Sequence, residues 1–254
     1  MQLLLLMLTF LLSPMAKAGK IIGGHEAKPH SHPYMAYLQT YNDEGSSVVC
    51  GGFLIQEKFV LTAAHCKGST ITVTLGAHNI KEPEKTQQVI TVRKAIQHPE
   101  YNSRIFSNDI MLLQLEKKAK LNRDVQLLRL PKANSRVKPG DLCQVAGWGQ
   151  LAQEGEYPST LQEVEVMVQK DEECETRYKA HYSSAIQMCV GKPKMKNAAF
   201  MGDSGGPLVC NNVVQGIVSH GECDGKPPSI YTKVSHFLHW IEKTMQHHLL
   251  QGAK

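Results

Sequence analysis

Several features that would assign this 254-residue chain to common functional classes are absent. It contains seven cysteines but no Cys-x-x-Cys pair, which argues against a zinc site of the usual ligand spacing. Aromatic residues make up only 6% of the chain and are not interleaved with lysine and arginine, which argues against nucleic-acid binding. Asn-x-Ser/Thr sequons are missing too, so N-linked glycans are not expected.

Long apolar runs are also absent, apart from one near the start. Residues 3–12 are apolar except for Thr9, which is too short a run to span a bilayer, and the small-x-small pattern Ala16-Lys17-Ala18 follows. This pattern predicts a signal peptide over residues 1–18, export of the chain and no membrane span. An exported chain uses cysteines for disulfides, and seven would leave one thiol over.

The charge of the chain is mildly positive. The formal charge is +5, and removal of a segment that contains Lys17 and Lys20 would leave +3. This balance permits attraction to anionic glycans, for which a basic loop with Lys192, Lys194 and Lys196 is a candidate. Twelve prolines, twenty glycines and short apparent strands favour an all-β architecture.

The segment Gly202-Asp203-Ser204-Gly205-Gly206-Pro207 has the composition of a tight turn that exposes a hydroxyl group. Small neighbours leave backbone N–H groups free to point at a carbonyl oxygen, as the stabilisation of an oxyanion requires. The same composition suits an ordinary surface turn. A nucleophilic Ser204 therefore needs a base, and that base needs an orienting group, from elsewhere in the chain.

Two other segments offer such groups. The apolar run 59–61 indicates a buried strand, after which Ala63 and Ala64 lead to His65, beside a cysteine that can pin it. Asp109 directly precedes the apolar residues 110–113. An aspartate at the start of a buried strand is most often a turn former, but it can also orient an imidazole ring.

In this chain order, His65 in Thr-Ala-Ala-His-Cys, Asp109 in Asn-Asp-Ile-Met-Leu-Leu and Ser204 in Gly-Asp-Ser-Gly-Gly-Pro resemble the chymotrypsin-fold serine proteases. The Ile-Ile-Gly-Gly segment at 21–24 adds a fourth motif. Segments 29–36, 74–80 and 137–140 are similar to the granzymes and mast-cell chymases, in particular to the granzyme B and granzyme H branch.

The resemblance implies a fold and a domain organisation. An all-β molecule is expected, with two packed six-stranded antiparallel barrels over residues 21–125 and 126–234, and a C-terminal helix over residues 235–249. An activation dipeptide, Gly19-Lys20, would precede Ile21. Its removal would let the Ile21 ammonium pair with Asp203. Granzymes usually lose an acidic dipeptide to a dipeptidyl peptidase, but Lys20 makes a tryptic enzyme an alternative activator.

The resemblance also implies catalytic roles. Ser204 would attack the scissile carbonyl, His65 would take and return its proton, and Asp109 would fix the imidazole tautomer. The backbone N–H groups of Gly202 and Ser204 would form the oxyanion hole. A metal or organic cofactor is not called for.

Substrate preference follows from the implied pocket. Trypsin-like members keep an aspartate six residues before the nucleophile, where this chain has Ala198, and granzyme B has an arginine at the place of Ser229. An uncharged pocket predicts cleavage after Phe, Tyr, Leu or Met. His220 replaces an aromatic residue, which makes pH sensitivity near neutrality conceivable. The implied substrate-binding residues are Ala198, Ala199, Met201, Ser219, His220, Gly221 and Ser229.

Disulfides and partners complete the expectations. The resemblance pairs Cys50 with Cys66, Cys143 with Cys210 and Cys174 with Cys189, and leaves Cys223 unpaired. Protein substrates, serpin-type inhibitors and anionic proteoglycans are the expected partners of a protease that is secreted or stored in cytotoxic granules and acts in cytolysis and apoptosis. Two alternatives are cleavage after Asp, as in granzyme B, and a catalytically silent glycan-binding granule protein.

Overall fold

The computed structural model describes residues 24–150, 156–192, 199, 202–222 and 225–251. Six antiparallel strands of the first half close into a barrel in the order β2-β3-β4-β7-β6-β5, with β5 pairing back onto β2 from Ala36↔Leu75 to Tyr41↔Thr70. The strands are β2 (Met35–Tyr41), β3 (Ser47–Gln56), β4 (Phe59–Thr62), β5 (Thr70–Leu75), β6 (Gln88–Gln97) and β7 (Met111–Leu115).

The second half forms a seven-stranded sheet in the order β1-β9-β8-β11-β12-β13-β10. Its strands are β1 (His25–Glu26), β8 (Leu142–Gly147), β9 (Gln162–Met167), β10 (Gln187–Val190), β11 (Pro207–Cys210), β12 (Val213–His220) and β13 (Ser229–Lys233). The seventh strand, which the sequence did not predict, is the short β1, and it pairs with the outer edge of β9 at His25↔Glu163.

The other six strands of that sheet curl into the second barrel. Their two edge strands meet at one antiparallel bridge, Val168↔Val190, which is flanked by 2.8 Å hydrogen bonds from Gln169 N to Cys189 O and from Gly191 N to Met167 O. The second barrel is therefore closed by a few bonds, whereas the first is closed by a full ladder.

Two α-helices accompany the sheets, α1 (Asp171–Tyr178) and α2 (Leu238–Gln251), and short 3-10 turns occupy Ala64–Cys66, Lys179–His181 and Val234–Phe237. The last α-helix thus begins at Leu238, three residues after the expected start at 235. Side chains at i and i+3 of a 3-10 turn eclipse each other, and Val234 and Phe237 are both buried, so this geometry directs both into the core. Among the described residues, the helices are too short or too polar to cross a membrane.

A single apolar core runs between the two halves. It joins Phe53 and Leu112 of the first barrel to Val214 and Ile217 of β12 and to Ile241 of α2. A separate cluster that includes Val164, Met188 and Tyr231 fills the interior of the second barrel. Because the shared core fixes one half against the other, side chains at the junction can be held in a defined geometry.

Candidate active site

His65 lies at the rim of the first barrel. The buried strand β4 ends at Thr62, and the 3-10 turn Ala64–Cys66 follows, with Ala63 and Ala64 fully buried because only small side chains fit there. Cys66 forms a disulfide with Cys50 of β3, which fixes the turn to the barrel wall. The His65 side chain is 21% exposed, so its ring is partly open to solvent.

Asp109 lies two residues before the start of β7 and is fully buried. Asn108 before it has a φ of 54°, a left-handed conformation that asparagine tolerates better than most residues. The Asp109 carboxylate accepts two hydrogen bonds from His65, 3.0 Å from the backbone N to Oδ1 and 2.8 Å from ring Nδ1 to Oδ2. His65 Nδ1 must therefore carry a hydrogen, which leaves Nε2 of the neutral ring able to accept a proton.

The second half also contacts Asp109. The hydroxyl of the buried Ser219 donates to Asp109 Oδ2 at 2.6 Å, and Thr232 Oγ1 donates to the Asp109 backbone carbonyl at 2.8 Å. Burial alone would raise the pKa of Asp109, but the hydrogen bonds and the charge of His65, together with the bond from Ser219, outweigh it and hold the pKa below its ordinary value. Asp109 is thus an anion at neutral pH.

This bonding determines the tautomer of His220. Ser219 Oγ lies 3.0 Å from His220 Nδ1. The Ser219 hydroxyl has one hydrogen, and it donates this hydrogen to Asp109, because a carboxylate can only accept. His220 Nδ1 therefore donates to Ser219. Burial lowers the pKa of His220 to about 4, so the ring is neutral around pH 7, and the conceivable pH sensitivity near neutrality is not supported.

Phe106 links the two histidines, a role that the sequence did not reveal. Its ring stacks on His220 with centroids 4.9 Å apart and an interplanar angle of 25°, and it meets the edge of His65 at 5.6 Å. Tyr178 approaches the edge of His220 at 6.1 Å. Phe106 has a φ of 51° and lies in an irregular loop between β6 and β7, so no periodic pattern marks it.

Ser204 lies on a turn that the first barrel holds in place. Gly202 and Gly205 have φ values of 96° and 82°, which favour glycine, and a Cβ on Gly205 would lie 2.5 Å from the carbonyl oxygen of Gly51. The Ser204 carbonyl accepts a 2.8 Å hydrogen bond from Gly51 N and lies 3.6 Å from Cys66 Sγ, next to His65.

Between the described side chains of His65 and Ser204 there is no hydrogen bond, and catalytic bonds of this kind often tighten only once substrate is present. The structure thus brings His65 and Asp109 into direct contact and places the Ser204 carbonyl near Cys66, the residue that follows His65.

Comparison with known proteins decides the classification. The family model described as Trypsin matches residues 21–241. The chain belongs to the trypsin family. It is a serine-type endopeptidase of the granzyme group with the trypsin-like fold.

Three similar proteins illustrate the extent of the match. Granzyme B of Homo sapiens is 62% identical over 246 residues, which cover 97% of this chain and 99% of the relative. Granzyme H of Homo sapiens is 58% identical with the same coverage. The solved structure described as "Structure of GrC" has a TM-score of 0.87 and 56% identity, and the match covers 89% of this chain and 100% of that structure.

Asp203, the expected partner of the new terminus in this trypsin-family protein, is fully buried next to Ser204. Its Oδ1 accepts a 2.8 Å hydrogen bond from Gly149 N. A Cβ on Gly149 would lie 2.5 Å from the Asp203 carboxyl carbon, so glycine is required for this close approach. Ile21 and Gly19-Lys20 lie outside the described residues.

Part of the expected trypsin-family substrate pocket is described. Ala199 is buried, and Gly221 faces Ser229 so closely that a Cβ on Gly221 would lie 2.8 Å from Ser229 Oγ. The Ser229 hydroxyl therefore lies beside Gly221, at the position of the expected pocket where the sequence comparison gave granzyme B an arginine. The expected pocket residues Ala198 and Met201, and also Cys223, lie outside the described residues.

The structure contains the three disulfides implied by the resemblance, Cys50–Cys66, Cys143–Cys210 and Cys174–Cys189. Among the described residues, Cys50, His65 and Cys66 are the group whose ligand atoms lie close enough to suggest a metal, within 4.8 Å of one another. Both sulfurs belong to a disulfide, so they are not thiolates and do not fit a metal site.

Proposed function

We propose that this granzyme-type endopeptidase uses Ser204 as nucleophile and His65 as general base and then general acid. Asp109 orients the imidazole ring and stabilises its cation. The observation that carries the proposal is the buried Asp109 carboxylate bound to His65 Nδ1 at 2.8 Å. It leaves His65 Nε2 as the basic atom on the partly exposed side of the ring.

The reaction proceeds in two halves. Ser204 Oγ attacks the scissile carbonyl as its proton passes to His65 Nε2, and the Asp109 anion stabilises the imidazolium that forms. The negative charge on the carbonyl oxygen is stabilised by the N–H groups of Gly202 and Ser204. His65 then protonates the leaving amine, and a water molecule, activated by the same imidazole, releases the acyl group from Ser204.

Cleavage after bulky apolar residues is the proposed specificity. Ser229 and Gly221 give the described pocket wall a hydroxyl and a backbone surface without charge, and buried Ala199 leaves space. A substrate Lys or Arg would lose water there without gaining a carboxylate, and a substrate Asp would gain no cation from Ser229. An apolar side chain avoids both penalties.

Activation and location follow from the same proposal. Removal of Gly19-Lys20 after signal cleavage would free the Ile21 ammonium to pair with the buried Asp203 carboxylate and so order the pocket. A chain of this kind would be secreted or stored in cytotoxic granules, with protein substrates, serpin-type inhibitors and anionic proteoglycans as partners.

The specificity is tested with a peptide library on protein that begins at Ile21. We expect cleavage after Phe, Tyr, Leu or Met at least tenfold faster than after Asp, Lys or Arg. Ser229→Arg should introduce cleavage after Asp, whereas the matched variant Ser229→Thr should keep the apolar preference. Preferred cleavage after Asp by the unmodified protein would overturn the proposal, and a protein that cleaves no peptide would favour the silent glycan-binding alternative.

A further inference from the structure

The second barrel has an open end that the proposed catalysis does not use. A cavity of about 470 Å³ lies there, lined among others by Val168, Met188, Gln215 and Lys233. Val168 and Met188 also belong to the apolar interior of this barrel. Because Gln215 lies near the start of β12 and His220 at its end, five residues of strand, roughly 16 Å, separate the cavity from the catalytic end.

Gln215 is turned towards this cavity by an irregularity in the sheet. Leu208 pairs with Gly216 and Val209 with Val214, so Gln215 has no partner on β11 and forms a β-bulge. Its side chain is only 7% exposed and lines the cavity. Among the described residues nothing hydrogen-bonds to its amide, whose polar atoms keep access to the cavity and can bond to a ligand or to solvent there.

Two cations border the same space. Lys233 at the end of β13 donates one hydrogen bond to the Ser184 carbonyl, and the exposed Arg136 lines the cavity from the segment before β8. Neither forms an ion pair with any described residue. The lining also contains one carboxylate, Asp171, so two cations against one anion leave an excess of positive charge that favours a bound anion.

The electrostatics of Lys233 agree with this assignment. Burial lowers the pKa of its ammonium, and the charge of Arg136 lowers it further, whereas Asp171 opposes both. Asp171 also lines the cavity, but its carboxylate accepts a hydrogen bond from the Tyr182 hydroxyl and does not pair with Lys233. A bound anion between the two cations would balance the positive charge that Asp171 leaves uncompensated.

We propose that this cavity is a binding site for a small organic anion, which places its charged group between Lys233 and Arg136 and its apolar body against Val168 and Met188. The amide of Gln215 would hydrogen-bond to the ligand at the buried end. The volume lies within the range of small-molecule sites, and mouths of β-barrels are common places for them. This inference does not depend on the proposed function.

The test uses ligand-observed NMR on the intact protein with benzoate and inorganic phosphate, and with benzyl alcohol as the uncharged analogue of benzoate. We expect saturable binding of benzoate, weaker binding of phosphate, which has no apolar body, and at least tenfold weaker binding of benzyl alcohol than of benzoate. Lys233→Met, Arg136→Gln and Gln215→Leu should each weaken anion binding about tenfold, whereas Lys117→Met, which removes an exposed cation elsewhere, should leave it unchanged.

Thermal unfolding distinguishes loss of the site from loss of the fold. Benzoate should raise the melting temperature of the unmodified protein and of Lys117→Met, but not that of a folded Lys233→Met. The proposal is overturned if benzoate does not bind, if Lys233→Met and Gln215→Leu bind it as tightly as the unmodified protein, or if benzyl alcohol or phosphate binds as tightly as benzoate. None of these measurements needs proteolysis, so their failure is distinct from failure of the proposed function.

Discussion

The two halves of the molecule build their parts of the site in different ways. The first barrel closes through a continuous β2–β5 ladder and holds His65 and Asp109 on turns next to the buried strands β4 and β7. The second closes through the Val168↔Val190 bridge and a few hydrogen bonds, and carries Ser204 on a glycine-rich turn. His65 and Asp109 thus lie on the barrel that is closed by a full ladder, and Ser204 lies on the barrel that is closed by only a few hydrogen bonds.

The carboxylate of Asp109 forms hydrogen bonds with both halves of the molecule. It accepts hydrogen bonds from His65 of the first half and Ser219 of the second, while Thr232 binds its backbone. A change at Asp109 should therefore disturb catalysis more than the fold, whereas changes in the disulfides of the second half should do the opposite. The following predictions test that contrast, from the largest effect to the smallest.

Asp109→Asn has the largest expected effect. The amide has nearly the same shape, but its NH2 group donates where a carboxylate oxygen accepted, so His65 is no longer held in the tautomer that exposes a basic Nε2. We expect kcat to fall by about 10⁴-fold, the scale typical of replacing a triad carboxylate. Steady-state kinetics on an apolar peptide substrate measure it, with Asp124→Asn at a surface ion pair as the control. A fall below tenfold would contradict the assigned role.

Removal of disulfides tests the dependence of each half on its cross-links. Cys143–Cys210 closes 67 residues, whereas Cys174–Cys189 and Cys50–Cys66 close 15 and 16. Loop-closure entropy predicts that replacing both cysteines by alanine costs about 4 kcal/mol for the first pair and about 3 kcal/mol for each of the others. Urea unfolding gives the three values. Equal or reversed losses would show that strain or residual structure, and not loop length, sets them.

Ser219→Ala tests the contribution of the second half to Asp109. The folded pKa of Asp109 is lowered, so its stabilising effect is complete above the ordinary aspartate pKa and is lost as the pH falls through the folded value. Without the Ser219 hydroxyl, the folded pKa should rise and the unfolding free energy at pH 7 should fall by about 2 kcal/mol. Denaturation at a series of pH values from 7 down to 2 should show this difference shrinking once the pH falls below the ordinary aspartate pKa. A difference independent of pH would mean that Ser219 acts through packing alone.

Lys118→Ala should have the smallest effect. Lys118 Nζ lies 2.9 Å from Glu57 Oε2, but the side chains are 67% and 45% exposed. Solvent screens such a pair, so the expected loss in the unfolding free energy is less than about 1 kcal/mol, with kcat unchanged. A loss above 2 kcal/mol would show that the rim of the first barrel is coupled to its core.

The sequence predicted the features that depend on local pattern. The buried strand before His65, the acidic residue before β7 and the glycines around Ser204 are each visible in a few consecutive residues, and the resemblance added their order. The all-β class with a closed first barrel and a C-terminal helix is confirmed. The helix start was three residues too early, because the 3-10 turn Val234–Phe237 depends on which side chains reach the core.

Other features depend on contacts that sequence spacing does not encode. The Ser219 hydroxyl reaches Asp109 only because β12 is irregular between Val218 and His220. Phe106 lies between the two histidines because a left-handed residue turns the loop. The bulge at Gln215 creates the polar floor of the far cavity in the same way. Each is a departure from regular pairing, so a period-2 pattern could not locate it.

The central claim, that His65 held by Asp109 activates Ser204, is tested most directly by covalent labelling. Protein that begins at Ile21 is treated with a fluorophosphonate probe at pH 7, and the adduct is located by mass spectrometry of peptides. The account predicts one probe per molecule on Ser204, with labelling lost in His65→Ala and kept in His98→Ala, where the histidine ring packs against Phe237 and Trp240. Absence of label from Ser204, or equal labelling of Ser204 in His65→Ala, would contradict it.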